Sequence, residues 1–596
     1  MISRSVLRKG FPLVSLSFLL GLTQSPAPAQ RNLAGAVQTR LTLERLNVLG
    51  SVLLIGAHPD DENTALLAYF ARGRKVRAAY LSLTRGEGGQ NLIGSEQGEL
   101  LGLIRTQELL AARKIDGAEQ YFTRAVDFGF SKSAEEAMAK WGRETVLGDI
   151  VWTIRRYRPD VIVLQSTGTP RDGHGHHQAS GILGREAYHA AADKSRFPEQ
   201  LRYVEPWQAK RLMWSGYAAA PQAFPGSSSR PAIEINTGDF DPILGYSYAE
   251  IAGMSRSMHR TQGMGAPERR GPARNYMVNV EGDPATDNIF DGIDTSWNRL
   301  SGGAAVARIL ADAARTFEPE QPEKTAPLLL KARPLIAAMK DPWATLKIRE
   351  LDEAIALCTG LWLDAAAERD ALIPGESFQV NLEVIDRSPF PLTLSSVTLE
   401  GIAGAPADQS APAQLAYNEP NRRSLRVTIP AEEPYSQPFW LRKPRSGDTY
   451  VIDDPQLVGR AEPPPILRAR FRIQAGSEQL DLLRPVIRRY VDRVEGETTK
   501  PLTIVPPVAV NLSETVLMFP DAKAKKVEAL LNSNSAGATG ELRLEAPPGW
   551  RVEPASSAFR ISKAGEETTL SFTVTPPSGS ARGRSHDVGA RREAAR

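Results

Sequence analysis

Cysteine is almost absent: Cys358 stands alone in 596 residues, so no internal disulfide can staple the chain. Its setting in "AIALCTGLWL" makes it a small buried hydrophobe, and stability must come from packed cores. Long apolar runs are scarce as well. The one near the amino terminus, "FPLVSLSFLLGL", follows Arg4, Arg8 and Lys9 and precedes "APA" ahead of Gln30. That is the pattern of an export signal over residues 1–29, too short to span a bilayer. No later run approaches the roughly 18 residues of a membrane helix, so the exported chain is expected to be periplasmic or secreted, without a transmembrane segment. Net charge is missing too. The formal +3 is supplied by the leader, and a neutral mature chain argues against nucleic acid or an anionic membrane as main partner.

What is present is organised in blocks. Between residues 46 and 300 short apolar runs alternate with amphipathic stretches. "VLLIGA" and "VRAAYLSL" read as strands, "NTALLAYFARG" and "EQGELLGLIRTQELLAARKI" as helices, and "YRPDVIVLQS" as a helix end feeding a strand. Such alternation predicts an α/β domain, a Rossmann-like and mostly parallel sheet covered by helices, with ligands bound beyond the carboxyl ends of the strands. Residues 301–370 read as a helical connector through "LWLDAAAERDAL". From residue 371 alternating strands broken by Pro and Gly predict a β-sandwich over 371–500 and a second over 501–579. The basic stretch "ARGRSHDVGARREAAR" closing the chain is expected to be a disordered tail over 580–596.

Six of the seven histidines fall between His58 and His259. "GAHPDDE" places His58, Asp60 and Asp61 directly after a predicted buried strand, and "DGHGHHQAS" packs His174, His176 and His177 together. Adjacent carboxylates repel and resist desolvation, so a cation, a catalytic proton or solvent must hold them. The three-residue spacing of His58 and Asp61 lets both reach one ion while Asp60 stays free. A ligand from the second cluster would complete a two-histidine, one-carboxylate zinc site with an open position.

These motifs resemble the PIG-L or LmbE-like family, zinc enzymes that remove acyl groups from N-acylated sugars and related amines. "AHPDDE" and "HGHHQASG" carry the resemblance, supported by "LTRGEGGQN" and "IRTQELLAARKIDG". It implies His58, Asp61 and His177 as ligands of Zn2+, Asp60 as general base, and a protonated His174 steadying the oxyanion. It also implies Arg105 as a substrate-binding residue, and through "SMHRTQG" places His259 near the pocket. One departure stands out. Where the family often has Pro and Asp between the two histidines of the second motif, this chain has Gly175 and His176. Asp172 is then the nearest acid available to orient His174.

Plainer readings stand beside these. Asp60 and Asp61 suit a helix N-terminus. His176 reads as a solvated neighbour or an outer partner of a ligand. Glu87 is a candidate for binding a substrate hydroxyl, although Gly-rich loops with one acid are commonplace, and Arg105 could pair with Glu108 on its own helix. The expected function is an exported zinc-dependent hydrolase that removes an acetyl group from an N-acylated amino sugar or glycoconjugate. The alternatives are a zinc amidase acting on a non-sugar amide, or a glycan-binding surface protein whose catalytic domain has decayed. The tail after residue 371 is expected to be dispensable for chemistry.

Overall fold

The computed structural model describes residues 35–215, 232–514, 516–520 and 523–577, and the backbone of 589–593. The expected leader lies outside them. No helix among the described residues is long and apolar enough to cross a membrane.

The first region is built on a sheet whose central strands are β1 (Ser51–Gly56), β2 (Arg77–Ser82), β3 (Glu119–Phe122), β4 (Val161–Leu164) and β5 (Arg211–Ser215). They lie in the order β3-β2-β1-β4-β5 and pair in parallel. β1 is buried along its whole length, as "SVLLIG" requires of a strand covered on both faces. Strand order reverses beside β1, so the crevice for a ligand opens between the carboxyl ends of β1 and β4. His58 follows β1, and the three clustered histidines follow β4. The sheet continues through antiparallel strands Arg274–Gly282 and β6 (Ala232–Asn236).

Three helices follow, Gly303–Arg315, Ala326–Ala337 and Pro342–Cys358. The connector expected to be helical throughout ends earlier than the sequence suggests. Gly360, at φ +59°, turns the chain, and Trp362–Ala367 is a strand paired with Ser377–Ile385. Its alanines carry no strand signal; pairing and burial override their helix propensity. That strand joins a five-stranded sheet, which faces a four-stranded one across a core containing Val380, Leu382, Val397 and Phe471. The same core continues into the helices through Leu310, Leu351 and Ile355, so helices and first sandwich form one packed unit.

Residues 508–577 form two further small sheets around Val527, Leu531, Leu542 and Phe572. The expectation of a wholly disordered tail is corrected in part. Residues 589–593 form a strand antiparallel to Ala538–Glu545, because the edge of that sheet offers unpaired backbone groups. The rest of the expected tail lies outside the described residues.

Candidate active site

The turn after β1 is held by its backbone. Tyr80 donates to the His58 carbonyl at 2.7 Å and Thr84 to that of Ala57 at 3.0 Å. Asp61 accepts from the amides of Ala57 and His58 at 3.1 and 2.8 Å through Oδ2. Neither aspartate caps the helix that follows: Asn63 does, accepting from the Leu66 amide. Capping therefore does not account for the acids.

Asp61 is clasped by two imidazoles. His58 Nδ1 lies 3.1 Å from Oδ2, and His177 Nε2 lies 3.3 Å from Oδ1. His177 Nδ1 sits 3.2 Å from the Asp172 carbonyl, which fixes that nitrogen as the donor and turns Nε2 toward Asp61. One ligand atom from each of His58, Asp61 and His177 falls within 4.8 Å of the others. The electrostatics agree with a cation site. Against burial, His177 and His58 hold the Asp61 carboxyl well below its usual range. Against burial, Asp61 raises both imidazoles, His177 to about 9. The clasp draws positive charge, and a divalent ion would release those protons on binding. The donor set suits a metal ion.

Asp60 stands apart from the clasp. Its φ is +106°, a conformation disfavoured for a side chain with a Cβ and here fixed from both sides. Its amide donates to Glu62 at 2.9 Å and its carbonyl accepts from Arg256 at 3.1 Å. Arg105 Nη2 donates to Asp60 Oδ1 at 3.0 Å, so Arg105 pairs with Asp60 rather than with Glu108, which binds Thr261. Gly86 makes room for Arg105: a Cβ there would lie 2.4 Å from the guanidinium. Burial pushes the Asp60 carboxyl up to about 6, with Asp61 adding and Arg105 opposing.

His174 is half-buried, and its Nδ1 accepts from the His176 amide at 3.1 Å, which leaves Nε2–H as the donor. Burial, with His58 and His177, pushes it down to about 4. The protonated form expected from the resemblance is thus disfavoured, and the neutral N–H remains. Asp172 does not orient it. Its carboxylate is occupied by the amides of Thr167, Gly168 and Thr169.

Residues 53–188 match the GlcNAc-PI de-N-acetylase family, PIG-L. The segment carries a PIG-L domain. Two curated relatives match part of the chain. A diacetylchitobiose deacetylase of Thermococcus kodakarensis is 32% identical over 146 residues, 24% of this chain and 51% of the relative. A 1D-myo-inositol 2-acetamido-2-deoxy-alpha-D-glucopyranoside deacetylase of Acidothermus cellulolyticus is 28% identical over 183 residues, 26% of this chain and 61% of the relative. The chain thus spans between half and two thirds of their lengths. Among solved structures, the N,N'-diacetylchitobiose deacetylase from Pyrococcus horikoshii matches 36% of this chain and 70% of its own, at 18% identity and a TM-score of 0.27. Residues 521–591 match the NPCBM-associated NEW3 domain of alpha-galactosidase.

Two residues expected to meet substrate are turned inward instead. His259 is fully buried with Nε2 2.8 Å from Glu62, which also pairs with Arg113. Glu87 is buried as well, accepting from the Tyr450 hydroxyl and the Asp127 amide. His176 is not solvated. It is fully buried, with Nδ1 3.0 Å from His58 Nε2 and its ring against Phe128 and Trp141. His58, His174 and His176 form a second group of clustered ligand atoms on the far edge of the His58 ring. Asp127 completes that edge, its carboxylate 3.9 Å from His58 Nε2 and 3.7 Å from His176 Nδ1. The sequence reading missed it. The signal was available in "YFTRAVDFGF", an acid just past a short strand at the ligand-binding edge.

Proposed function

We propose that the protein is an exported, zinc-dependent N-deacetylase acting on an acetylated amino sugar or glycoconjugate. The observation that carries this reading is the His58–Asp61–His177 clasp with Asp60 beside it, at the point where the sheet reverses its strand order. The names of the two aligned deacetylases favour an acetamido sugar as substrate class. His58, Asp61 and His177 would hold the ion. A zinc ion there supplies Lewis acidity, polarising the amide carbonyl and making water a stronger acid.

The chain's own groups do the rest. Asp60, with one oxygen anchored by Arg105, offers the other as base for the attacking water. His174 presents a neutral Nε2–H to the oxygen that gains charge as the tetrahedral carbon forms. When the C–N bond breaks, the proton held by Asp60 passes to the departing nitrogen. The products are the free amine and acetate. Export belongs to the same proposal and is checked by sequencing the amino terminus of the secreted protein, expected at Gln30.

Acetate release should be measured on N-acetylglucosamine, N,N'-diacetylchitobiose and acetylated peptides, before and after chelation and on adding back zinc. Release from the sugars, abolished by the chelator and restored by zinc, supports the reading. Release confined to peptides, or unaffected by chelation, would overturn it.

A further inference from the structure

Residues 437–462 leave the first sandwich and lie against the PIG-L domain as a strap. Their contacts are specific. Gly459–Arg460 adds an antiparallel bridge to the edge of β3. The Tyr450 amide donates to the Arg124 carbonyl at 2.8 Å, and the Val126 amide to that of Asp448 at 2.9 Å. The Trp152 indole donates to the Val458 carbonyl at 3.1 Å. Phe439, Trp440 and Tyr450 share a small core with Val126. Arg85, in the loop after β2, donates to the carbonyls of Arg460 and Ala461 and lies 3.4 Å from the Trp440 ring.

Two residues further along that loop, Glu87 connects the strap to the metal clasp. Its Oε1 accepts from the Tyr450 hydroxyl at 2.6 Å, although the two residues are 363 positions apart. Its Oε2 accepts from the Asp127 amide at 2.9 Å. A carboxylate is planar and stiff, so fixing one oxygen aims the other. The Asp127 side chain then faces the Nε2 edge of His58, opposite the edge that meets Asp61. His176 is the group hydrogen-bonded to that edge, at 3.0 Å, and Asp127 stands 3.9 Å from the His58 ring nitrogen and 3.7 Å from that of His176, its Oδ1 held by the Gly129 amide. A partner hydrogen-bonded to the outer nitrogen orients a metal-binding imidazole and typically matters about 10- to 100-fold in affinity or rate.

We propose that Tyr450, supplied by the β-rich tail, is a positioning residue of the active site, acting through Glu87 and Asp127 on His58 and His176. The inference rests on the metal-site reading above. Removing the hydroxyl leaves Glu87 with one fewer donor in a buried place and frees the Asp127 segment to shift. On this proposal the strap of the first sandwich helps to shape the active site, so that this part of the tail would not be dispensable.

The test uses the full chain with Tyr450→Phe, and as a control Thr449→Val, which removes another strap bond, to the Trp141 carbonyl, without touching Glu87. Zinc affinity by competition titration, kcat and KM on N,N'-diacetylchitobiose, and thermal melting are measured for each. Tyr450→Phe should weaken zinc binding and lower kcat by about 10-fold each, with KM within about twofold. Thr449→Val should leave zinc affinity and kcat within about twofold. If the two variants change zinc affinity alike, or Tyr450→Phe changes nothing, the strap is only structural and the proposal falls. A chain that binds zinc but releases no acetate would overturn the deacetylase reading, and the titration alone would then decide the role of Tyr450. Absence of zinc binding would overturn both.

Discussion

The two β-rich regions are attached to the molecule in different ways. The first, between Trp362 and Ile504, has no core of its own in the usual sense: its inner faces and the three preceding helices bury one another in a single cluster. It also sends the strap across to the PIG-L sheet. The second, the NEW3-like region, encloses a small cluster drawn from its own strands. Both were read from sequence as sandwiches of similar texture. What separates them is the number of elements outside each that depend on it for burial, and this predicts which one chemistry requires.

The largest effect should come from deleting residues 371–596. The helices share one buried cluster with the deleted sandwich, so apolar surface now covered would be laid open, at about 2–3 kcal/mol per large side chain exposed. The fragment should be unfolded by circular dichroism and size-exclusion chromatography. A soluble, cooperatively melting fragment would break the comparison.

Next are the acids of the first motif. Asp60→Asn should keep the metal and lose roughly 100- to 10,000-fold in kcat, whereas Asp61→Ala should lose metal first, as metal analysis would show. Equal metal content in the two would merge roles that the geometry separates. The pH profile follows from Asp60. A base works only when ionised, so kcat should rise with pH up to about 6 and then level. A bound cation favours the carboxylate, which moves that limb lower, and Asp60→Asn should lack it.

A smaller effect concerns stability in acid. Burial opposes ionisation of Glu62, yet His259 and Arg113 hold its carboxyl at about 2 against an ordinary 4.5. A depressed folded-state value stabilises the protein above the unfolded value and is lost as pH falls, so this contribution should be complete above about pH 4.5 and vanish toward 2. His259→Gln should lower stability at pH 7 by about 1–3 kcal/mol and flatten that acid limb in denaturant melts. The smallest effect belongs to the NEW3-like region. Deleting residues 506–596 should leave kcat on a soluble disaccharide within about twofold, and a larger loss would show that the second region also shapes the site.

Much of the PIG-L region was legible because its signals are local. A buried strand such as "SVLLIG" followed by "AHPDDE" is contiguous, and ligands spaced along one turn must end near one another. The inward turn of Glu87 was not legible, since its partner Tyr450 is brought to it by a strap that no periodicity marks. The same holds for His259: its sequence neighbourhood suggested the pocket, but burial against Glu62 is decided by packing of distant elements. The strand Trp362–Ala367 was hidden by three alanines, whose propensity says helix until a neighbouring strand supplies hydrogen bonds.

Gly175 bears on how this site can be exchanged with others. Its amide donates to the Ser131 carbonyl at 2.9 Å, and a Cβ on it would fall 2.3 Å from the Ser133 carbonyl oxygen. Grafting the proline common in the resembling family onto this position would remove the donor and drive a ring into that carbonyl. The second motif and the loop 131–133 thus fit each other as a pair. Chimeras that swap the histidine motif alone should fail, whereas those that carry the loop with it should fold.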